Sequence, residues 1–215
     1  MLGVNGDGMP TGAAADNPRN DDGASVRGFT GLVMLQPYLD LTTSYEQWNF
    51  DQNCADAGNA ASRDSEASML LCPSFVRNSN GVQNITEAHS HYSFASGNIT
   101  AGQPLATNAN DGIFGNISST KFRDITDGTS NVIAMGEVSQ FEIRRYSWCG
   151  NGERRKASST RDRCPINNHD NTVDVVCQDD DDDHGVFGSY HTGGAHFLGA
   201  DGAVHFLNET MNLTL

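Results

Sequence analysis

The stretch "SYHTGGAHFLGADGAVHFLNE", Ser189 to Glu209, sets three histidines beside two apolar runs. The runs meet at Asp201-Gly202, the dipeptide favoured by a two-residue type I′ hairpin turn. Pairing outward from that turn predicts Ala200 opposite Ala203, Gly199 opposite Val204, Leu198 opposite His205, Phe197 opposite Phe206 and His196 opposite Leu207. One face then carries Phe197, Val204 and Phe206 as a core face, and the other His196, Leu198, His205 and Leu207. On that second face His196 and His205 are diagonal neighbours, either within reach of a shared metal or simply two half-exposed strand histidines.

The rise of a strand, about 3.3 Å per residue, places Asp201 roughly 20 Å beyond the Gly193-Gly194 turn. His191 lies behind that turn, so His191 and Asp201 are not expected to share a catalytic centre. Asp201 serves the turn, where its short side chain tolerates positive φ and bonds nearby backbone. His191 is expected to bond local backbone and orient the strand.

Working outward, residues 1–25 are rich in Gly, Asn and Asp and read as a flexible lead-in to a single head domain over 26–215. "FTGLVMLQPYLDLTTSYEQWNFD" is the most apolar early segment. Pro37 interrupts it, which predicts short helices either side of a turn, the second over Ser44–Asn49. "SMLLCPS", Ser68–Ser74, reads as a short buried strand stopped by Pro73. "HSHYSFA", His89–Ala95, reads as a strand with Tyr92 and Phe94 on opposite faces. Asp127–Ser130 forms a turn leading into a strand over Asn131–Val138. Arg144–Asp183 is a charged loop insertion of a length that compact domains reserve for functional or mobile segments.

A net charge of −14 with pI near 4.6 argues against nucleic acid, which demands clustered Lys and Arg. It equally disfavours an anionic membrane surface, so no membrane contact is expected of this chain. No apolar run reaches the roughly 18 residues of a membrane span. The N-terminus lacks the basic and apolar regions of a signal peptide, which points to a cytoplasmic protein or a trimmed chain. The five cysteines, Cys54, Cys72, Cys149, Cys164 and Cys177, form no CxxC pair. They predict one or two disulfides, Cys54–Cys72 and a pair among the last three, and hence an oxidising compartment.

Four stretches carry a resemblance. His191, nine intervening residues and Asp201-Gly202 resemble the C-terminal signature of a large planctomycete family (domain of unknown function 1559), named for its His-x-nine-Asp-Gly pattern. "LQPYLDLTTSYEQWNF" is similar to its Leu-Pro-Tyr segment, "LLCPS" to its Cys-Pro-Ser strand, and "ITDGTSNVIAMGE" to its Asp-Gly-Thr-Ser-Asn strand ending in Glu137. The resemblance implies an α+β, type IV pilin-like or pseudopilin-like head domain. Its antiparallel sheet would end in a C-terminal β-hairpin, displayed extracellularly or at the cell surface by a prepilin-type leader and long helix. Neither leader nor helix is visible here, so a truncated chain or partial reading frame is expected. The implied role is structural or adhesive, with other pilin-like subunits or surface glycans as partners.

Two candidate chemistries accompany that reading. Asp179, Asp180, Asp181, Asp182 and Asp183 offer hard oxygen ligands for calcium, although the spacing is not that of an EF-hand and a solvated acidic loop is the plain alternative. A secreted glycosidase or esterase, metal-assisted or not, is the rival function. Glu137, Glu142 and Glu153 are its candidate carboxylates, and the G-x-S-x-G elbow is absent around Ser189. Otherwise Glu137 is expected to end its strand beside a hydrogen-bonding partner. Five Asn-x-Ser/Thr sequons, at Asn84, Asn98, Asn116, Asn208 and Asn212, mark exposed loops.

Overall fold

Seven short strands and three one-turn helices make up the regular elements described by a computed structural model. It describes residues 28–75, 88, 90–95, 113–114, 120–138, 148–150, 157–158, 166–167 and 187–211. In chain order the elements are β1 (Gly28–Phe29), α1 (Gly31–Leu35), α2 (Thr42–Glu46), α3 (Ala60–Arg63), β2 (Tyr92–Ala95), β3 (Ile133–Glu137), β4 (Cys149–Gly150), β5 (Ala157–Ser158), β6 (Gly194–Gly199) and β7 (Val204–Asn208). The main sheet runs β5-β2-β3-β6-β7. Its β2–β3, β3–β6 and β6–β7 pairs are antiparallel, and β5 joins β2 in parallel. Separately, β1 pairs antiparallel with β4. The α+β class, the antiparallel sheet and the terminal hairpin are all present.

Successive residues of a strand point to opposite faces, and here both faces find apolar neighbours. Phe94 belongs to a cluster with Phe29, Leu32, Val33, Trp48, Leu70, Phe114 and Trp148. Ala95 belongs to another, with Val138, Ile166, Phe187, Ala195 and Phe197. Tyr92, two residues from Phe94, packs against the same cluster. The expectation of opposite faces for Tyr92 and Phe94 is therefore corrected: a period of two returns them to one side. Gly136 in mid-strand leaves room for two rings, since a Cβ there would lie 2.7 Å from Phe197 Cε1.

The early segment forms short turns. Thr30 caps α1 by accepting from the Leu32 N–H at 3.2 Å. Pro37 sits in the first residues of a 3-10 turn over Gln36–Tyr38, where its missing N–H costs nothing. Helix α2 starts and stops earlier than the expected Ser44–Asn49. It ends where Trp48 turns inward, edge-on to Phe29 at 5.4 Å, with Nε1 donating to the buried Gln36 Oε1 at 3.0 Å. Ser68–Ser74 is not a strand: Ser68–Leu70 is a 3-10 turn. The segment docks on the residue before β2 through single bonds, His91 N–H to Leu70 O and Cys72 N–H to His91 Nδ1, rather than a ladder.

The cysteine pairing is also corrected. Cys54 bonds Cys149, 95 residues away, with both fully buried. The β1–β4 register sets Cys149 opposite Phe29 and so beside the early segment. Cys72 is a buried free thiol; Cys164 and Cys177 lie outside the described residues.

The hairpin is shifted by one residue from the expected register. Leu198 pairs with Val204, Phe197 with His205, His196 with Phe206 and Ala195 with Leu207. Gly202 N–H bonds Gly199 O, Gly199 N–H bonds Ala203 O, and Gly202 alone in the turn has positive φ, at 89°. That is a three-residue loop with a bulge, not a type I′ turn, which would require positive φ at Asp201 as well. A slip of one residue exchanges the faces. Phe197 is buried, yet Val204 is 67 % and Phe206 48 % exposed. His196 and His205 point to opposite faces, which rules out a metal shared between them and leaves the alternative of two separate strand histidines.

Candidate functional site

Glu137, the last residue of β3, has its side chain only 3 % exposed, and an isolated carboxylate so placed would be costly. Three groups meet it. One oxygen, Oε2, accepts the His196 backbone N–H at 2.7 Å and faces His196 Nδ1 at 3.1 Å. The other, Oε1, faces His191 Nε2 at 3.4 Å. The same Nε2 lies 3.4 Å from Cys72 Sγ, and His191 Nδ1 lies 3.2 Å from Ser74 Oγ. The two imidazoles cross edge-on at 5.2 Å. Cys72 and Glu137 form a buried floor beneath the partly exposed rings of His191 and His196.

Each residue is held by its own element. Gly188 N–H donates to Glu137 O, which fixes the chain entering the His191 turn. Ser189 Oγ donates to Gly194 O at 2.6 Å and accepts the His191 N–H at 2.9 Å. Asn167 accepts the Ser189 N–H and donates to both Gly194 O and Glu209 Oε2. Gly193, with φ of 89°, closes the turn and releases the chain into β6. On the far side the Cys72 N–H bonds His91 Nδ1, and the His91 ring meets Phe75 edge-on and Tyr190 at a tilt. Tyr92 lies close by: burial first, then the charges of Glu137 and Cys72, push its phenol above the ordinary range.

The expected residues fare unequally. Glu137 does end its strand beside hydrogen-bonding partners. His191 and Asp201 stay apart, with Asp201 Oδ1 accepting the Ala203 N–H in the turn. The His191 ring, however, bonds side chains rather than the local backbone, because the turn aims it across β3 at Cys72, Ser74 and Glu137. Asp179–Asp183, Glu142 and Glu153 lie outside the described residues. Cys72 and Ser74 were not singled out as site residues, Cys72 having been assigned to a disulfide. The signal for them was "LLCPS" itself, one of the four stretches behind the resemblance.

Among the described residues Cys72, Glu137 and His191 are the group able to hold a metal ion, each offering one ligand atom, all within 4.8 Å of one another. A thiol and an imidazole are poor partners for calcium, which takes oxygen ligands, and suit a borderline divalent ion instead. Chemically the cluster can hold a metal, share a proton among thiol, imidazole and carboxylate, or lock the hairpin onto β3.

Fold and site together define an α+β domain with a polar cluster under the start of its terminal hairpin. A family model described as "protein of unknown function (DUF1559)" matches residues 6–214, and the chain belongs to that family. No curated protein and no solved structure matches.

Proposed function

We propose that this domain is the head of a pilin-like or pseudopilin-like subunit, displayed outside the cytoplasmic membrane, with a structural or adhesive role. The observation that carries the reading is the Cys54–Cys149 disulfide, because buried disulfides form and persist in oxidising compartments. Family membership and an antiparallel sheet closed by a hairpin support it. A charge of −14 suits a soluble exposed surface rather than one bound to nucleic acid. Its partners are other pilin-like subunits or surface glycans. The test is surface labelling of intact source cells, followed by thiol mapping of the native protein. The reading expects label on the chain and Cys54 and Cys149 protected from alkylation until reduction. Recovery from the cytosol with both thiols free overturns it.

A secreted hydrolase acting on glycans or esters is the second reading, favoured by one observation: two histidines and a thiol gathered on the Glu137 carboxylate. Turnover of chromogenic glycosides or esters that disappears in Glu137→Gln, with the fold intact, would establish it.

A further inference from the structure

The two neighbours of His191 Nε2 stand at distances that a shared metal ion would also give. Nε2 stands 3.4 Å from Glu137 Oε1, beyond the roughly 2.7–3.2 Å of an N–H···O bond. It stands an equal 3.4 Å from Cys72 Sγ. With Nδ1 protonated, Nε2 can accept the Cys72 S–H but has no hydrogen for Glu137, and with Nε2 protonated it has one hydrogen for two neighbours. In a tetrahedral zinc site, bonds of about 2.0–2.1 Å to N and O and about 2.3 Å to S give N···O edges near 3.4 Å and N···S edges near 3.5 Å. Both separations match those edges.

We infer that Cys72 Sγ, His191 Nε2 and Glu137 Oε1 bind a borderline divalent ion of the zinc class. The supporting contacts suit that role. A metal-bound histidine donates its other ring N–H to a fixed acceptor, and His191 Nδ1 has Ser74 Oγ at 3.2 Å. A ligating carboxylate is oriented through its second oxygen, and Glu137 Oε2 is held by the backbone N–H and Nδ1 of His196. That leaves Oε1 turned toward the thiol and imidazole. The three ligands come from the Cys72-Pro73-Ser74 segment, the end of β3 and the turn before β6. These are three of the four stretches behind the family resemblance. Three protein ligands leave the fourth position for water or an added ligand, on the side where the His191 side chain is 26 % exposed. The inference holds under either functional reading above and fails independently of both.

The experiment is titration of the full chain with zinc against a chromophoric chelator, and with cobalt(II) read by absorption. The expected result is one tight equivalent, intense visible bands of four-coordinate cobalt, and a thiolate-to-cobalt charge-transfer band. Cys72→Ser removes the charge-transfer band, and His191→Asn weakens zinc binding more than about 100-fold. Ser74→Ala weakens it roughly 10-fold, and His205→Ala, on the opposite hairpin face, leaves it unchanged. Circular dichroism checks each fold; if Cys72→Ser does not fold, His191→Asn, altered at a partly exposed ring, decides. Absence of binding, a pale six-coordinate spectrum, a charge-transfer band surviving Cys72→Ser, or affinity unmoved in His191→Asn overturns the inference.

Discussion

The terminal hairpin and the segment from Phe29 to Ser74 are held together by different means. Strands β6 and β7 exchange backbone bonds from Gly194–Asn208 to Leu198–Val204, and β6 is paired again on its other side by β3. Among the described residues, 28–75 have only the two-residue β1–β4 pairing. Side chains replace the ladder there. Buried Asn59 accepts the Asn49 N–H and donates to both Asn49 O and Asn53 O, while Trp148 Nε1 donates to Ser65 O. A ladder spreads its stability over many equivalent bonds, so single side chains matter little to it. A loop-rich segment concentrates stability in a few partners, and losing one leaves buried backbone groups unpaired.

Four substitutions test that contrast, read as shifts in chemical-denaturation midpoint. Cys54→Ala, which opens the 95-residue bridge, is expected to cost about 4–5 kcal/mol by the chain-entropy estimate. Asn59→Leu removes three hydrogen bonds at a fully buried position and should cost about 3 kcal/mol. In the hairpin, Gly202→Ala meets no atom within 4 Å. Its expected cost, about 1–2 kcal/mol, is therefore the conformational penalty of positive φ alone. Val204→Thr, on an exposed strand position, should stay within about 0.5 kcal/mol. A cost above about 1 kcal/mol there would return Val204 to the core and restore the two-residue turn. An Asn59 variant as stable as the parent would erase the contrast itself.

The hairpin was legible because its signal is local: two apolar runs flanking Asp201-Gly202. Its register was not, because that dipeptide suits both a two-residue turn and a three-residue loop with a bulge, and the single residue of slip between them decides which side chains are buried. Glu137 was legible as a strand end for the same local reason. The cluster it anchors was not: Cys72 and His191 are 119 residues apart, and only the stacking of β3 between β2 and β6 brings them together. The disulfide failed likewise. Cys54 and Cys72 are near in sequence, but β1 pairing with β4 carries Cys149 to Cys54 and leaves Cys72 facing the histidines. Short 3-10 turns such as Ser68–Leu70 carry little periodicity, so an apolar run ending in proline reads equally well as a strand.

The sulfur bridge also changes what a cut does to the molecule. Backbone and bridge together close a ring from Cys54 to Cys149, so one protease nick inside it yields two pieces still travelling as one. Such nicked protein would keep its mass, plus one water, until a reductant is added, and only then resolve into fragments. A chain built this way tolerates a cleavage that would cost an unbridged one half of itself.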